Sequence, residues 1–171
     1  AHIIISHVTD GLKLADKHNL PKVIRNFISS HHGVGMTKYF YISEQNAHPD
    51  VEVDKSLFTY PGPNPATQEE AILMMADAVE AASRSLAEYT EESISNLVEK
   101  LIDTQMADGA FRQCPITFRD IAAAKRTLVD SVKTIYHTRI AYPEMKRPEK
   151  PAKNATESPL RSLFGGQHRK R

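Results

Sequence analysis

The chain has 171 residues, 40% of them hydrophobic and 25% charged, with a formal net charge of +1; that is ample for one globular domain with a real core. Charge is uneven, because residues 143–171 hold eight Lys/Arg against three Asp/Glu while the first 142 hold fourteen against eighteen. An acidic body argues against a DNA- or RNA-binding surface on the folded part, and a single cysteine, Cys114, excludes both a disulfide framework and a cysteine-rich zinc site.

The chain opens inside a pattern, at Ala1-His2-Ile3-Ile4-Ile5, with no methionine, and is expected to be a segment of something longer. Ile4, Val8, Leu12 and Ala15, widened by Ile5 and Leu14, make the apolar stripe of a first helix. His7 sits one position from that stripe, where a core or boundary histidine is as natural as a ligand. His18-Asn19-Leu20-Pro21 closes the element, and Pro21 suits the first turn of a second helix through Ile28. That helix runs into Ser29-Ser30-His31-His32-Gly33, where the glycine supplies a stop.

Consecutive side chains on a helix diverge by about 100°, so His31 and His32 are not expected to meet one metal ion in the same way. One would ligate; the other would face a second ion, a bound phosphate or the groups around the site. Taken alone, the pair reads more simply as complement to a helix dipole.

Met36–Ile42 is aromatic enough for a strand but has no strand to pair with, and is read as a short helix. Residues 46–56 are polar, and Leu57–Pro65 carries three prolines in its last five residues, a rigid extended loop that could wall a site. Thr67 and Glu70 form a capping box for a helix expected over Gln68–Glu88. Ile72, Met75, Ala76, Val79, Ala82 and Leu86 are assigned to its packed side, and Asp77, Glu80 and Arg84 form one narrow polar stripe. A carboxylate on a largely buried helix needs a cation or strong donors. Either Arg84 satisfies both acids, or Asp77 ligates a metal and leaves Arg84 for phosphate. Thr90 and Ser93 then open a helix through Ile94, Leu97, Val98, Leu101 and Ile102, ended by Asp108-Gly109. Thr117 caps a last one with Ile121, Ala124, Leu128, Val132 and Ile135 on one face. From Pro143 onward a disordered basic tail is expected.

Over residues 1–142 the ordered set His7-Val8-Thr9-Asp10-Gly11, Ser30-His31-His32-Gly33, Tyr39-Phe40-Tyr41, Tyr60–Pro65, Ala76–Leu86 and Ile135–Ile140 resembles the HD superfamily of metal-dependent phosphohydrolases. More closely, it resembles the cytoplasmic catalytic domain of the seven-transmembrane HD proteins, whose characterised members hydrolyse cyclic di-AMP. The resemblance implies an all-α HD-domain helical bundle, truncated at its N-terminus, on the cytoplasmic side of a bacterial plasma membrane and attached through segments of a parent outside this chain. It implies two divalent ions, iron or manganese, with His7 and His31 on one and Asp77 on the other. His32 would stand at the inner edge of the site or on the substrate phosphate, and Arg84 would neutralise phosphate charge. A hydroxide bridging the metals would attack phosphorus in line. The chain has no adjacent His-Asp pair, the doublet that names the superfamily, and Val34 stands where the family commonly has Thr. Truncation is the expected reason for the missing doublet. The competing reading is a catalytically incomplete HD domain acting as a nucleotide-binding signalling module.

Overall fold

A computed structural model describes residues 1–137, so the expected tail at 143–171, and the last residues of the domain placed at 1–142, lie outside the described residues. Six helices follow in order: α1 (His2–Lys17), α2 (Lys22–Ser30), α3 (Lys38–Ala47), α4 (Gln68–Ser83), α5 (Glu91–Ala107) and α6 (Phe118–His137), with a single 3-10 turn at Lys55–Phe58. Among the described residues there is no strand, only an isolated antiparallel bridge between Met36 and Thr59. The all-α expectation holds.

Side-chain caps start the three helices of the core. The Thr67 hydroxyl accepts from the Glu70 N–H at 3.2 Å, while the Glu70 carboxylate reaches back to the Ala66 N–H at 2.9 Å. Thr90 accepts from the Ser93 N–H. Thr117 and Asp120 cap each other reciprocally at the head of α6. From these starts α5 turns Ile94, Val98 and Ile102 wholly inward, against Ala71, Met75 and Val79 of α4 and Ile121 and Val132 of α6. Each such burial contributes about 1.5–3 kcal/mol. Lys125 of α6, between Glu99 and Asp103 of α5, ties the same two helices at their surface.

The first half is thinner. α1 buries only Val8 and Ala15, α2 only Ser30, and α3 nothing. Of the apolar stripe read along α1, Ile4 and Leu14 remain exposed. What fixes this half beyond helix packing is a short polar seam. Thr37 N–H donates to Phe58 C=O at 2.7 Å, Tyr60 N–H to Gly35 C=O at 2.9 Å, and Val34 N–H to the Asn64 side-chain oxygen at 3.0 Å. Residues 34–37 are thereby laid against 58–64.

Three expectations are corrected. The short helix begins at Lys38 and runs to Ala47, because Met36 and Thr37 are held in the seam. α4 ends at Ser83 instead of Glu88. There the Ser85 and Leu86 N–H groups turn to carbonyls three residues back, Leu86 packs onto the core, and Tyr89 stacks on Tyr136 of α6 at 3.7 Å. Tertiary contacts thus pull the chain off the helical path. Ile72, assigned to the packed side, is 44% exposed; Ala71 and Met74 fill that role.

Candidate metal centre

Three helices deliver the candidate ligands. His7 rides on α1 next to the buried Val8. α2 ends at Ser30, whose buried hydroxyl donates to the Asn26 carbonyl at 2.8 Å, and His31 is the capping residue beyond it. His32 and Gly33 therefore lie in a turn. Gly33 has a φ of +54°, and a side chain there would collide with the Asn64 side-chain oxygen, so glycine is required. His31 keeps helical backbone angles and its N–H still bonds to the Phe27 carbonyl, yet the two rings come together. The His31 and His32 ring centroids are 4.1 Å apart, and His7, His31 and His32 each offer a ring nitrogen, all within 4.8 Å of one another. This corrects the expectation of divergence.

The hydrogen bonds on the far side of two rings fix their tautomers. His7 Nδ1 faces the Ile4 carbonyl, and His31 Nδ1 faces the Ile28 carbonyl at 2.8 Å. Both can only donate there, which leaves each Nε2 with a lone pair. The two Nε2 atoms lie 3.1 Å apart. Two lone pairs at that distance repel unless a proton on one ring or a metal ion stands between them. An imidazole–metal bond of about 2.1 Å places two ligands at right angles about 3 Å apart, so the pair fits a transition-metal ion as it stands.

Asp77 projects from α4 with its Oδ2 3.4 Å from His32 Nδ1, too long for a strong hydrogen bond. Burial, followed by the neighbouring His31 and His7 rings, holds the His32 pKa down to about 4. It is neutral at pH 7, so its contact with Asp77 is no ion pair. Burial raises the Asp77 pKa, opposed by His31 and reinforced by Glu80. A half-buried carboxylate without a strong donor beside lone-pair nitrogens is an arrangement that a divalent cation relieves.

Arg84 lies elsewhere. Its guanidinium forks onto Glu80, with Nε–Oε1 at 3.0 Å and Nη2–Oε2 at 2.8 Å, and it lines a separate cavity between α4 and α6. Tyr60, by contrast, was not singled out in the sequence, and its ring stacks on His32 at 4.2 Å and 24°. The hints were its place in the proline-rich loop, which the seam lays beside the doublet, and its membership of the Tyr60–Pro65 stretch that carries the family resemblance. Beside the histidines opens a cavity of about 480 Å³, whose opposite wall is α5. The involvement of that helix left no motif in the sequence.

A helical bundle thus gathers His7, His31 and His32, with Asp77 of α4 beside them, next to one cavity. No family model matches the chain. It is 38% identical over 143 residues to the cyclic-di-AMP phosphodiesterase PgpH of Bacillus subtilis, and 38% identical over 144 residues to the PgpH of Listeria monocytogenes, in each case over 84% of this chain and 20% of the relative. The chain thus spans about a fifth of the length of these curated relatives. Among solved structures it is similar to the Listeria monocytogenes PgpH HD domain in complex with cyclic di-AMP. The TM-score is 0.73 and the identity 36%, over 78% of this chain and 62% of that one. The chain belongs to the HD-domain family of PgpH.

Proposed function

We propose that this chain is the hydrolytic domain of a cyclic-dinucleotide phosphodiesterase acting on cyclic di-AMP, which opens one phosphodiester bond with water. The observation that carries the reading is the 3.1 Å approach of two imidazole Nε2 atoms, a spacing that suits two ligands of one divalent ion. Its companion is the kinship to relatives named for cyclic di-AMP hydrolysis. His7 and His31 would hold one divalent ion and Asp77 a second, with iron and manganese the candidates for His/carboxylate ligands of this kind. Ions bound there would supply charge to a phosphoryl oxygen and an acidified water as nucleophile. The rest is done by the chain's own groups. The Ile4 and Ile28 carbonyls hold the two ligand rings in the correct tautomer, and Tyr60 packs on His32 and keeps it oriented at the edge of the cavity. His32, neutral at pH 7, can orient the phosphate or accept a proton from the water. Membrane attachment on the cytoplasmic side, through a larger parent, belongs to the same proposal. Among the described residues no helix is long and apolar enough to cross a membrane.

One observation favours the second reading, a nucleotide-binding signalling module: no His is followed by Asp anywhere in the chain. Metal content and cyclic di-AMP turnover, measured together on the manganese-loaded protein and on Asp77→Ala, separate the two. Bound metal with turnover that falls at least ~100-fold in Asp77→Ala supports hydrolysis. Cyclic di-AMP binding without turnover supports the module, and absence of both metal and nucleotide binding sinks both.

A further inference from the structure

We infer that Lys100 on α5 is the cation that holds the second phosphate of a two-phosphate substrate, the one not lying at the histidines. The inference rests on the cyclic-dinucleotide reading above. His31, His32 and Asp77 line one side of the 480 Å³ cavity, and α5 lines the other. Besides Asp77, α4 lines it with Met74, Ala78 and Ala81, and α5 lines it with Leu97, Leu101, Thr104 and Gln105 beside Lys100. Met74, the two alanines and the two leucines give the cavity an apolar shelf. A sugar and base can lie on such a shelf.

The cations then decide where a second phosphate goes. Arg84, the sequence's candidate for phosphate, is committed to Glu80 and lines another cavity. Lys38 reaches this cavity, but its ammonium lies 3.0 Å from Asp108. Lys100 also lines the cavity and, among the described residues, has no acidic partner. In a body that is net acidic over its first 142 residues, an uncompensated ammonium across an apolar shelf from the histidines is where a phosphate gains most from a charge-assisted hydrogen bond.

Equilibrium binding of cyclic di-AMP and of 5′-AMP to the manganese-loaded protein tests the assignment, with Lys100→Met and Lys100→Arg alongside. The mononucleotide has one phosphate, which the histidine end takes, so it does not need Lys100. Lys100→Met is expected to weaken cyclic di-AMP binding about tenfold and 5′-AMP by less than about twofold. Lys100→Arg should restore most of the loss, and the difference between Met variant and wild type should shrink as salt rises. Lys100 is exposed, and unchanged melting curves would confirm that its variants fold. Unaltered cyclic di-AMP affinity in Lys100→Met, or an equal loss for both nucleotides, overturns the role of Lys100 and leaves the hydrolase reading standing. Failure of the wild-type protein to bind cyclic di-AMP overturns that reading and this inference together.

Discussion

The helices that carry the histidines and the helices that carry the core are different helices. Among the described residues, every buried member of the main apolar cluster lies between Ala71 and Val132, on α4, α5, α6 and their connections. His7, His31 and His32 belong to the half before it, where Ile3 is 86% exposed and Val23 56%. α4 carries both core residues and a candidate metal ligand, burying Met75 and Val79 while Asp77, between them in sequence, looks to the histidines. Stability and ligand binding are therefore nearly separable in this fold. The ligand-bearing half has few buried apolar contacts and should open at lower free energy than the core. Ions held by His7 and His31 and by Asp77 would tie it to the rest.

The sharpest way to break this comparison is a pair of substitutions read on two axes. His31→Ala should lower metal affinity at least ~100-fold while shifting unfolding free energy of the metal-free protein by less than ~1 kcal/mol. Ile102→Ala should do the reverse, costing about 3 kcal/mol and leaving metal uptake per folded molecule intact. Urea melts and metal titrations on both would show it. A stability loss in His31→Ala comparable to that in Ile102→Ala would mean that the two halves are one cooperative unit.

A smaller effect sharpens the role of α4 as the shared element. Thr67→Ala removes the acceptor for the Glu70 N–H and should cost about 1 kcal/mol, visible as an earlier urea midpoint at unchanged slope. Because the cap lies a turn and more from Asp77, metal affinity of the folded protein should stay within about twofold. A large loss of affinity would show that the cap also sets the register of the site.

The smallest expected effect is confined to acid. Hydrogen bonds from the Thr117 hydroxyl and backbone N–H pull the Asp120 pKa below its ordinary value. A carboxyl depressed in the folded state adds stability that is complete above its unfolded pKa and is lost as pH falls through the folded one. The stability gap between wild type and Asp120→Asn should therefore be flat at neutral pH and narrow below the usual carboxylate range. A gap that stays constant down to pH 2 would remove Asp120 from the capping account.

Much of this was legible in the residues. Periodicity placed the core helices because Ile94, Val98 and Ile102, or Ile121 and Val132, repeat at helical spacing and are indeed buried. Thr67, Thr90 and Thr117 marked their starts because a threonine hydroxyl at that position has a defined partner. The end of α4 was not legible, since Leu86 continues the apolar pattern on paper while the contact of Tyr89 with Tyr136 spans 47 residues. At the site, the residue types were readable and their meeting was not. The closeness of His31 to His32 depends on how two ring torsions are set and not on their spacing, and the stack of Tyr60 on His32 depends on a seam between segments more than twenty residues apart. For Arg84 the residues left two readings open, a network satisfying both Asp77 and Glu80 or a guanidinium left for phosphate; the structure pairs it with Glu80.

That seam also dictates where the chain can change length. Residues 34–37 and 58–64 are joined bond for bond, so one residue added at 34–37 would slip Gly35 past Tyr60 and carry the tyrosine off His32. Between the two segments, the exposed bend at 48–52 is held locally: Gln45 reaches the His48 and Val51 carbonyls and the Val53 N–H, the Val51 N–H donates to the His48 carbonyl, and His48 lies against Glu44. Insertions there would lengthen a surface excursion and leave its base untouched. A longer tip on the α3 side would therefore leave the arrangement of His7, His31, His32 and Tyr60 as it stands.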